Sequence, residues 1–225
     1  MEAPRRLARG LGWWQMRKIV SSITRRLFPP SQTIEGYEHS ELVDVIFRKT
    51  LAYRPDGEWR EMAGSSSVLD FGGGCGLHYK QAGSSTVRWA IVETPVMVAR
   101  ATELATDRLR FFTSIDEAAD WLGPIDVMHS NGALQYVDNP YSILQELCGL
   151  RSKRMLWYRV FLSPDIEKKD LQSSLLGDNG PGSIPVTEKN VRYVRTAIPE
   201  QAFLDAHESY KLEERGPDWF RYNVM

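Results

Sequence analysis

The feature that most constrains this chain is a short apolar strand that runs straight into glycine. Residues 67–79 read SVLDFGGGCGLHY, with glycine at 72, 73, 74 and 76. Four glycines in five positions carry a large ordering entropy, so the backbone here must adopt a conformation or an approach that a Cβ would forbid. The expectation is a strand-to-helix turn stripped of side chains so that a ligand can come close. Such a turn belongs at the carboxyl edge of a parallel sheet, where open α/β folds bind their ligands.

The flanking pattern supplies that sheet. Apolar runs at 67–71, 87–93 (VRWAIVE), 108–112 (RLRFF), 125–130 (IDVMHS) and 154–162 (RMLWYRVFL) read as five strands. Helical segments alternate with them. One starts at Thr94-Pro95. One starts at Ser114, with Glu117 three residues on as a capping box. One starts at Asn139 with Pro140 at its first position. Ahead of the first strand, residues 40–51 read as a helix with Ser40 as N-cap. At the end, 210–214 and 219–225 flank a Gly-Pro-Asp turn and read as a hairpin. The fold class expected is α/β, a Rossmann-like doubly wound mixed sheet of about seven strands whose last strand runs antiparallel, with an N-terminal helical extension.

The 225 residues suffice for one domain with a small appendage, and 42% hydrophobic with 25% charged residues is an ordinary globular composition. Residues 1–30 stand apart. They hold seven Arg or Lys against the single acid Glu2, and Pro29-Pro30 closes them, so the main domain is expected over 31–225. This segment reads as a helix packed on the domain or a loosely ordered basic leader. A peripheral helix on an anionic membrane and an organelle transit peptide are the other readings. Arginines interrupt its apolar stretches, which excludes a secretory signal, and no apolar run approaches the length of a membrane span. Cys75 and Cys148 fit neither a zinc spacing nor a disulfide framework, so no metal is expected and a reducing, cytoplasmic compartment is.

The loop's chemistry narrows the ligand. A nucleoside triphosphate loop needs a Lys and a hydroxyl residue after its last glycine, and neither is present. A dinucleotide loop needs G-x-G-x-x-G, and the third glycine is replaced by Leu77 or by Tyr79 in the two possible alignments. Asp70 at the head of the turn disfavours pyrophosphate and favours a cation. Glu93, at the end of the second strand, suits the two hydroxyls of a ribose. An acid, a glycine turn and no phosphate point to S-adenosylmethionine, which carries an ammonium and a sulfonium.

With these residues in view, VLDFGGGCG, WAIVE and IDVMHSNGALQYV resemble the first, second and fourth motifs of class I S-adenosylmethionine-dependent methyltransferases. Gly36-Tyr37, Asp70 to Tyr79, Trp89 to Glu93, Ser130 to Tyr136 and Tyr158-Arg159 are similar to a group of bacterial methyltransferases associated with surface-polysaccharide genes. The resemblance covers residues 34–225. It implies that Asp70, Gly72, Gly73, Gly74 and Gly76 surround the methionine part of the cofactor and that Glu93 holds the ribose. It implies that Thr113 and Ser114 flank the adenine, where the family often has an acid instead, and that Ser130 and Asn131 sit beside the reacting methyl.

The implied reaction is methyl transfer to a small-molecule or glycan acceptor, at oxygen. A hydroxyl acceptor calls for a general base, and His78, just past the loop, is the candidate. His129, on the fourth strand, reads as structural. Tyr79, Tyr136, Tyr158 and Arg159 are candidates to line the acceptor pocket. DNPY at 138–141 looks like an amino-methylation motif but falls about eight residues beyond its strand, and a helix cap explains it. The domain has no basic stripe for nucleic acid. The polar segment 163–199 is expected to be a lid that carries acceptor specificity. Two other readings stay open: a non-catalytic protein that binds cofactor or partner on the same fold, and an NAD(P)-dependent oxidoreductase.

Overall fold

The structure is a computed structural model that describes residues 33–55, 59–83 and 86–225. The basic segment 1–30, with its membrane and transit-peptide readings, lies outside the described residues. None of the described helices is long and apolar enough to cross a membrane.

Seven strands form the central sheet: β2 (Ser67–Phe71), β3 (Arg88–Val92), β4 (Leu109–Phe112), β5 (Val127–Asn131), β6 (Arg154–Tyr158), β10 (Tyr210–Arg215) and β11 (Phe220–Val224). Their spatial order is β10-β11-β6-β5-β2-β3-β4. The chain builds outward from β2 through β3 to β4, then crosses to β5 and β6 on the other side. The order therefore reverses between β2 and β5, and a crevice opens there at the carboxyl ends. The contacts from β4 to β6 are parallel, while β11 runs antiparallel to both β6 and β10. The sequence expectation of a mixed Rossmann-like sheet with a terminal hairpin matches this topology.

Strand periodicity divides the core. Leu69, Phe71, Ala90, Val92, Met128, Met155 and Trp157 face α4 (Ile115–Leu122), α5 (Pro140–Gly149) and α6 (Glu200–Asp205). Val68, Trp89, Ile91, Val127 and Leu156 face the opposite layer, which holds Trp59, Met62 and α2 (Leu77–Ala82). On this second face Asp70 and His129 stand directly opposite each other in the β2–β5 register.

The helix starts follow local chemistry. Thr94 caps α3 (Pro95–Ala101), Ser114 caps α4 and Asn139 caps α5, each through a side-chain oxygen that accepts an N–H of the first turn. Each such cap contributes about 1 kcal/mol. One expectation is corrected. The N-cap of α1 (Ser40–Ala52) is His39 and not Ser40, because the His39 Nδ1 accepts from the Glu41 N–H and Ser40 already lies in the helix.

One further correction concerns the chain after β6. The apolar run 154–162 is not one strand. Arg159 adopts φ +52°, which turns the chain out of the central sheet, and only Leu162–Ser163 (β7) resumes extended pairing. The polar segment that follows is built of regular strands. β8 (Lys168–Leu175) and β9 (Asn190–Pro199) form an antiparallel hairpin. β9 also pairs in parallel with β1 (Thr33–Glu35) and β7, giving a second sheet of four strands. Lys49 on α1 holds the 176–181 turn by donating to the Gly177 carbonyl at 2.8 Å. Gly180, at φ +75°, brings its backbone so near Ile46 that a Cβ would stand 3.2 Å from the Ile46 Cα.

The C-terminal layer carries a buried titratable group with a clear signature. His207 donates Nδ1–H to the Phe203 carbonyl (2.7 Å), accepts the Trp157 indole N–H at Nε2 (2.9 Å) and stacks on Tyr222. Burial lowers its pKa to about 4. An unfolded histidine protonates near pH 6.5, roughly, so between that value and about 4 the unfolded chain binds more protons. Stability is therefore expected to fall as pH drops through this window. Thermal melts between pH 7 and pH 4 test the trend. Nitrogen NMR of the imidazole should show a neutral Nδ1–H tautomer until about pH 4; titration near pH 6.5 would contradict the assignment.

Candidate functional site

A cavity of about 1170 Å³ opens at the crevice. Its floor is the β2–α2 loop. Its walls are the ends of β3, β4, β5 and β6, and its roof comes from the second sheet and the turn after β8.

The glycine loop is shaped first by the protein's own packing. Gly72, Gly74 and Gly76 have φ of +72°, +58° and +91°. A Cβ on Gly72 would lie 2.0 Å from the Ala133 Cβ, and one on Gly73 would lie 2.5 Å from Asp70 Oδ2. A Cβ on Gly76 would only touch Leu109 and Ile91 at ordinary contact distance, and one on Gly74 would meet nothing closer than Ile46 at 3.8 Å. Steric need within the fold thus accounts for Gly72 and Gly73, and backbone conformation for Gly74 and Gly76. Gly72, Gly73 and Gly74 still present bare backbone to the cavity, whereas Gly76 turns inward at the start of α2.

Asp70 departs from its expected position. Its carboxylate is fully buried on the α2 face of the sheet and does not line the cavity. Oδ1 lies 2.7 Å from His129 Nδ1. Oδ2 lies 3.2 Å from His78 Nδ1 and 3.2 Å from Trp89 Nε1. Burial alone would raise its pKa, but the two imidazoles draw it well below the carboxylate range. Strand alternation explains the placement: Phe71 takes one face, so Asp70 takes the other, beneath the first turn of α2.

His78 lines the cavity. Its Nε2 lies 3.3 Å from Asn131 Nδ2. The Arg159 Nε–H donates to Asn131 Oδ1 at 2.6 Å, which fixes the amide so that its NH2 faces the imidazole. Nε2 is therefore an acceptor, and Nδ1 carries the proton given to Asp70. His129 is wholly enclosed. Its ring meets Trp59 edge-on at 4.8 Å, its Nε2 has no partner among the described residues, and burial lowers its pKa.

Glu93 also lines the cavity. Oε1 accepts the Gly74 N–H (2.9 Å) and Oε2 accepts the Thr94 N–H (3.0 Å). Burial raises its pKa, with those two N–H groups opposing, and no cationic side chain pairs with it among the described residues. Thr113 and Asn131 line the cavity as well, but Ser114 and Ser130 do not. The Ser114 hydroxyl is taken by the Glu117 N–H as the cap of α4, and Ser130 is buried within β5.

The four acceptor-pocket candidates divide evenly. Tyr136 and Arg159 line the cavity. Tyr79 and Tyr158 do not. Tyr79 packs edge-on against Trp89 under the sheet, and Tyr158 turns to the same layer, where its hydroxyl donates to Glu61. The sequence reading missed Tyr37, Tyr193 and Gln172. Tyr37 stacks on Tyr193 at 4.5 Å, Tyr136 meets both rings, and the Tyr136 hydroxyl donates to Gln172 at 2.8 Å. Val191 and Tyr193, two apart with exposed Arg192 between them, give a local signal for one strand of this wall, while the polar Gln172 and Ser174 give none.

No protein-family model matches the chain, and no curated protein does. Solved structures do match. The sugar N-methyltransferase KedS8 from a Streptoalloteichus species aligns over 100% of this chain and 98% of its own, with TM-score 0.50 and 14% identity. CalS10, an amino pentose methyltransferase from Micromonospora echinaspora solved with S-adenosylmethionine bound, aligns over 97% and 100%, with TM-score 0.48 and 16% identity. What this chain shares with KedS8 at that identity is the fold.

The packing reading of the loop makes a sharp prediction. Gly72→Ala should destabilise by about 2 kcal/mol or more, through the Ala133 clash together with backbone strain. Gly74→Ala should cost about 1 kcal/mol from its positive φ alone. Adding Ala133→Gly should recover part of the loss in Gly72→Ala and none in Gly74→Ala, as read by urea denaturation. Equal behaviour of the two would refute the assignment.

Proposed function

We propose that the chain transfers a methyl group from S-adenosylmethionine to a hydroxyl of a small-molecule or glycan acceptor. The observation that carries this reading is the Glu93 carboxylate on the Gly74 N–H. In a dinucleotide fold the loop N–H groups are left for pyrophosphate. Here a carboxylate already takes one of them, and its charge would repel phosphate. An adenosine ligand without phosphate, whose charge is positive, suits the same surface.

The residues present fit such a ligand. Glu93 has a carboxylate edge toward the cavity and no cationic partner among the described residues, so it can accept from ribose hydroxyls. The backbone of Gly72, Gly73 and Gly74 offers a cradle without side chains, with Asn131 across from it. Thr113, which lines the same cavity, would flank the adenine. The bound cofactor supplies an activated methyl on a sulfonium, so the protein's task is to place the nucleophile and take its proton.

His78 is suited to take that proton. Asp70 accepts its Nδ1–H, and the Nε2 lone pair, which here accepts from the Asn131 amide, takes the proton once the acceptor hydroxyl displaces that amide. Asp70 acts in this scheme through His78 and not by touching the cofactor. Tyr37, Tyr136 and Tyr193 offer an aromatic wall suited to a sugar ring. The β8–β9 hairpin, which brings Gln172, Ser174 and Tyr193 to the cavity, is the element we assign to acceptor choice.

Calorimetry with S-adenosylmethionine, S-adenosylhomocysteine and NADH tests the reading. The first two should bind with micromolar affinity and NADH should not. Glu93→Ala should weaken both by tenfold or more while the variant remains folded by circular dichroism. Binding of NADH would favour the oxidoreductase reading. No binding of any of the three to folded protein would overturn the proposal.

A further inference from the structure

Arg159 is held in place by several independent devices. It is one of two non-glycine residues with positive φ among the described residues, at +52°, a conformation that bulky side chains rarely adopt and that marks functional sites when the surroundings enforce it. The surroundings do enforce it. The Gln135 side-chain amide donates to the Arg159 carbonyl (3.2 Å), and the next residue, Val160, donates its N–H to the Asp218 carbonyl (2.9 Å). The guanidinium then lies against bare backbone at Gly132, where a Cβ would stand 3.0–3.1 Å from its Nη2, Cζ and Nε.

One edge of that guanidinium is fixed by two neutral oxygens. Nε donates to Asn131 Oδ1 (2.6 Å) and Nη2 to the Asn131 carbonyl (3.0 Å). No carboxylate lies within 4 Å of it among the described residues, although the side chain is exposed and lines the cavity. The cavity's other arginine is different, since Arg195 is tied in a bidentate pair to Asp170. Glu38, Glu93, Asp178 and Asp218 are the carboxylates of the lining, and none of them pairs with Arg159. A strained, oriented fork without a countercharge is built for a planar or tetrahedral anion that arrives from outside.

We infer that the acceptor carries an anionic group, carboxylate or phosphate, that docks on the free edge of Arg159. This rests on the methyl-transfer reading and specifies its substrate class. Asn131 also sets the distance between charge and reaction. The same amide touches Arg159 through Oδ1 and His78 Nε2 through Nδ2, so the amide and the width of the guanidinium together separate the anion site on its far edge from the base. The methylated hydroxyl and the anionic group therefore belong to one compact acceptor, as in a uronic acid or a sugar phosphate.

The test uses the full chain saturated with S-adenosylhomocysteine, and glucuronate, glucose 1-phosphate and neutral methyl glucoside as probes. NMR titration should show at least one anionic probe binding tenfold or more tightly than the neutral one, with the Arg159 side-chain N–H signal shifting. Which anion binds decides between carboxylate and phosphate. Arg159→Gln should lose that preference, and Arg159→Lys, which keeps the charge without the fork, should retain only part of it. Both variants should still bind S-adenosylhomocysteine, which shows that they are folded. Equal binding of charged and neutral probes, or undiminished preference in Arg159→Gln, would overturn the inference. Failure of the wild type to bind S-adenosylhomocysteine would instead strike the methyl-transfer reading.

Discussion

The buried carboxylate of Asp70 is the interaction on which the rest of the site depends. A carboxylate with no solvent contact is tolerable only if its oxygens are matched by donors. Here the donors come from three elements: His78 from α2, His129 from β5 and Trp89 from β3. One side chain on the central strand therefore ties both neighbouring strands and the helix after the glycine loop. The loop between Asp70 and His78 is closed by that pair across its base. Gly73 lacks a side chain because the carboxylate occupies the space. Removing the Asp70 charge would leave two imidazoles and an indole in a low-dielectric layer with nothing to receive their protons.

From this anchor the site is assembled outward. Hydrogen bonds run from His78 to Asp70, from Asn131 to His78 and from Arg159 to Asn131, so that each group fixes the proton or amide orientation of its neighbour. They cross from the sheet's interior to the cavity surface at the point where strand order reverses. Glu93 lies on the opposite side of the loop and binds its backbone directly. The loop thus stands between two carboxylates. One is buried and matched by imidazoles; the other faces the cavity with no cationic partner among the described residues. On the proposed reading, that asymmetry suits a positively charged nucleoside on one side and, at Arg159, an anion on the other.

Much of this was readable from the sequence where the relevant forces are local. The first four strands, the start of the fifth, the three capped helices and the terminal hairpin depend on period and capping over a few residues, and those stood in the sequence at their correct places. Asp70 and Tyr158 were misplaced for a reason that strand alternation itself supplies. Counting by twos from Val68 and from Leu156 puts both on the α2 face, away from the crevice. The turn at Arg159 was hidden because an apolar run on both sides looks continuous. β8 was hidden because its sequence, KKDLQSSL, has hardly any apolar alternation. Its strand character comes from pairing with β9 and not from its own composition. The wall of Tyr37, Tyr136 and Tyr193 joins three segments far apart in sequence, and only the topology brings them together.

A crystal structure of the protein with S-adenosylhomocysteine bound is the most direct measurement. It should place the ribose hydroxyls on Glu93 and the homocysteine along Gly72 to Gly74 near Asn131. Asp70 should remain bonded to His78, His129 and Trp89, without contact to the ligand. A ligand whose ammonium draws the Asp70 carboxylate out of its imidazole pair, or one that binds outside the crevice, would contradict a site organised around a buried anion.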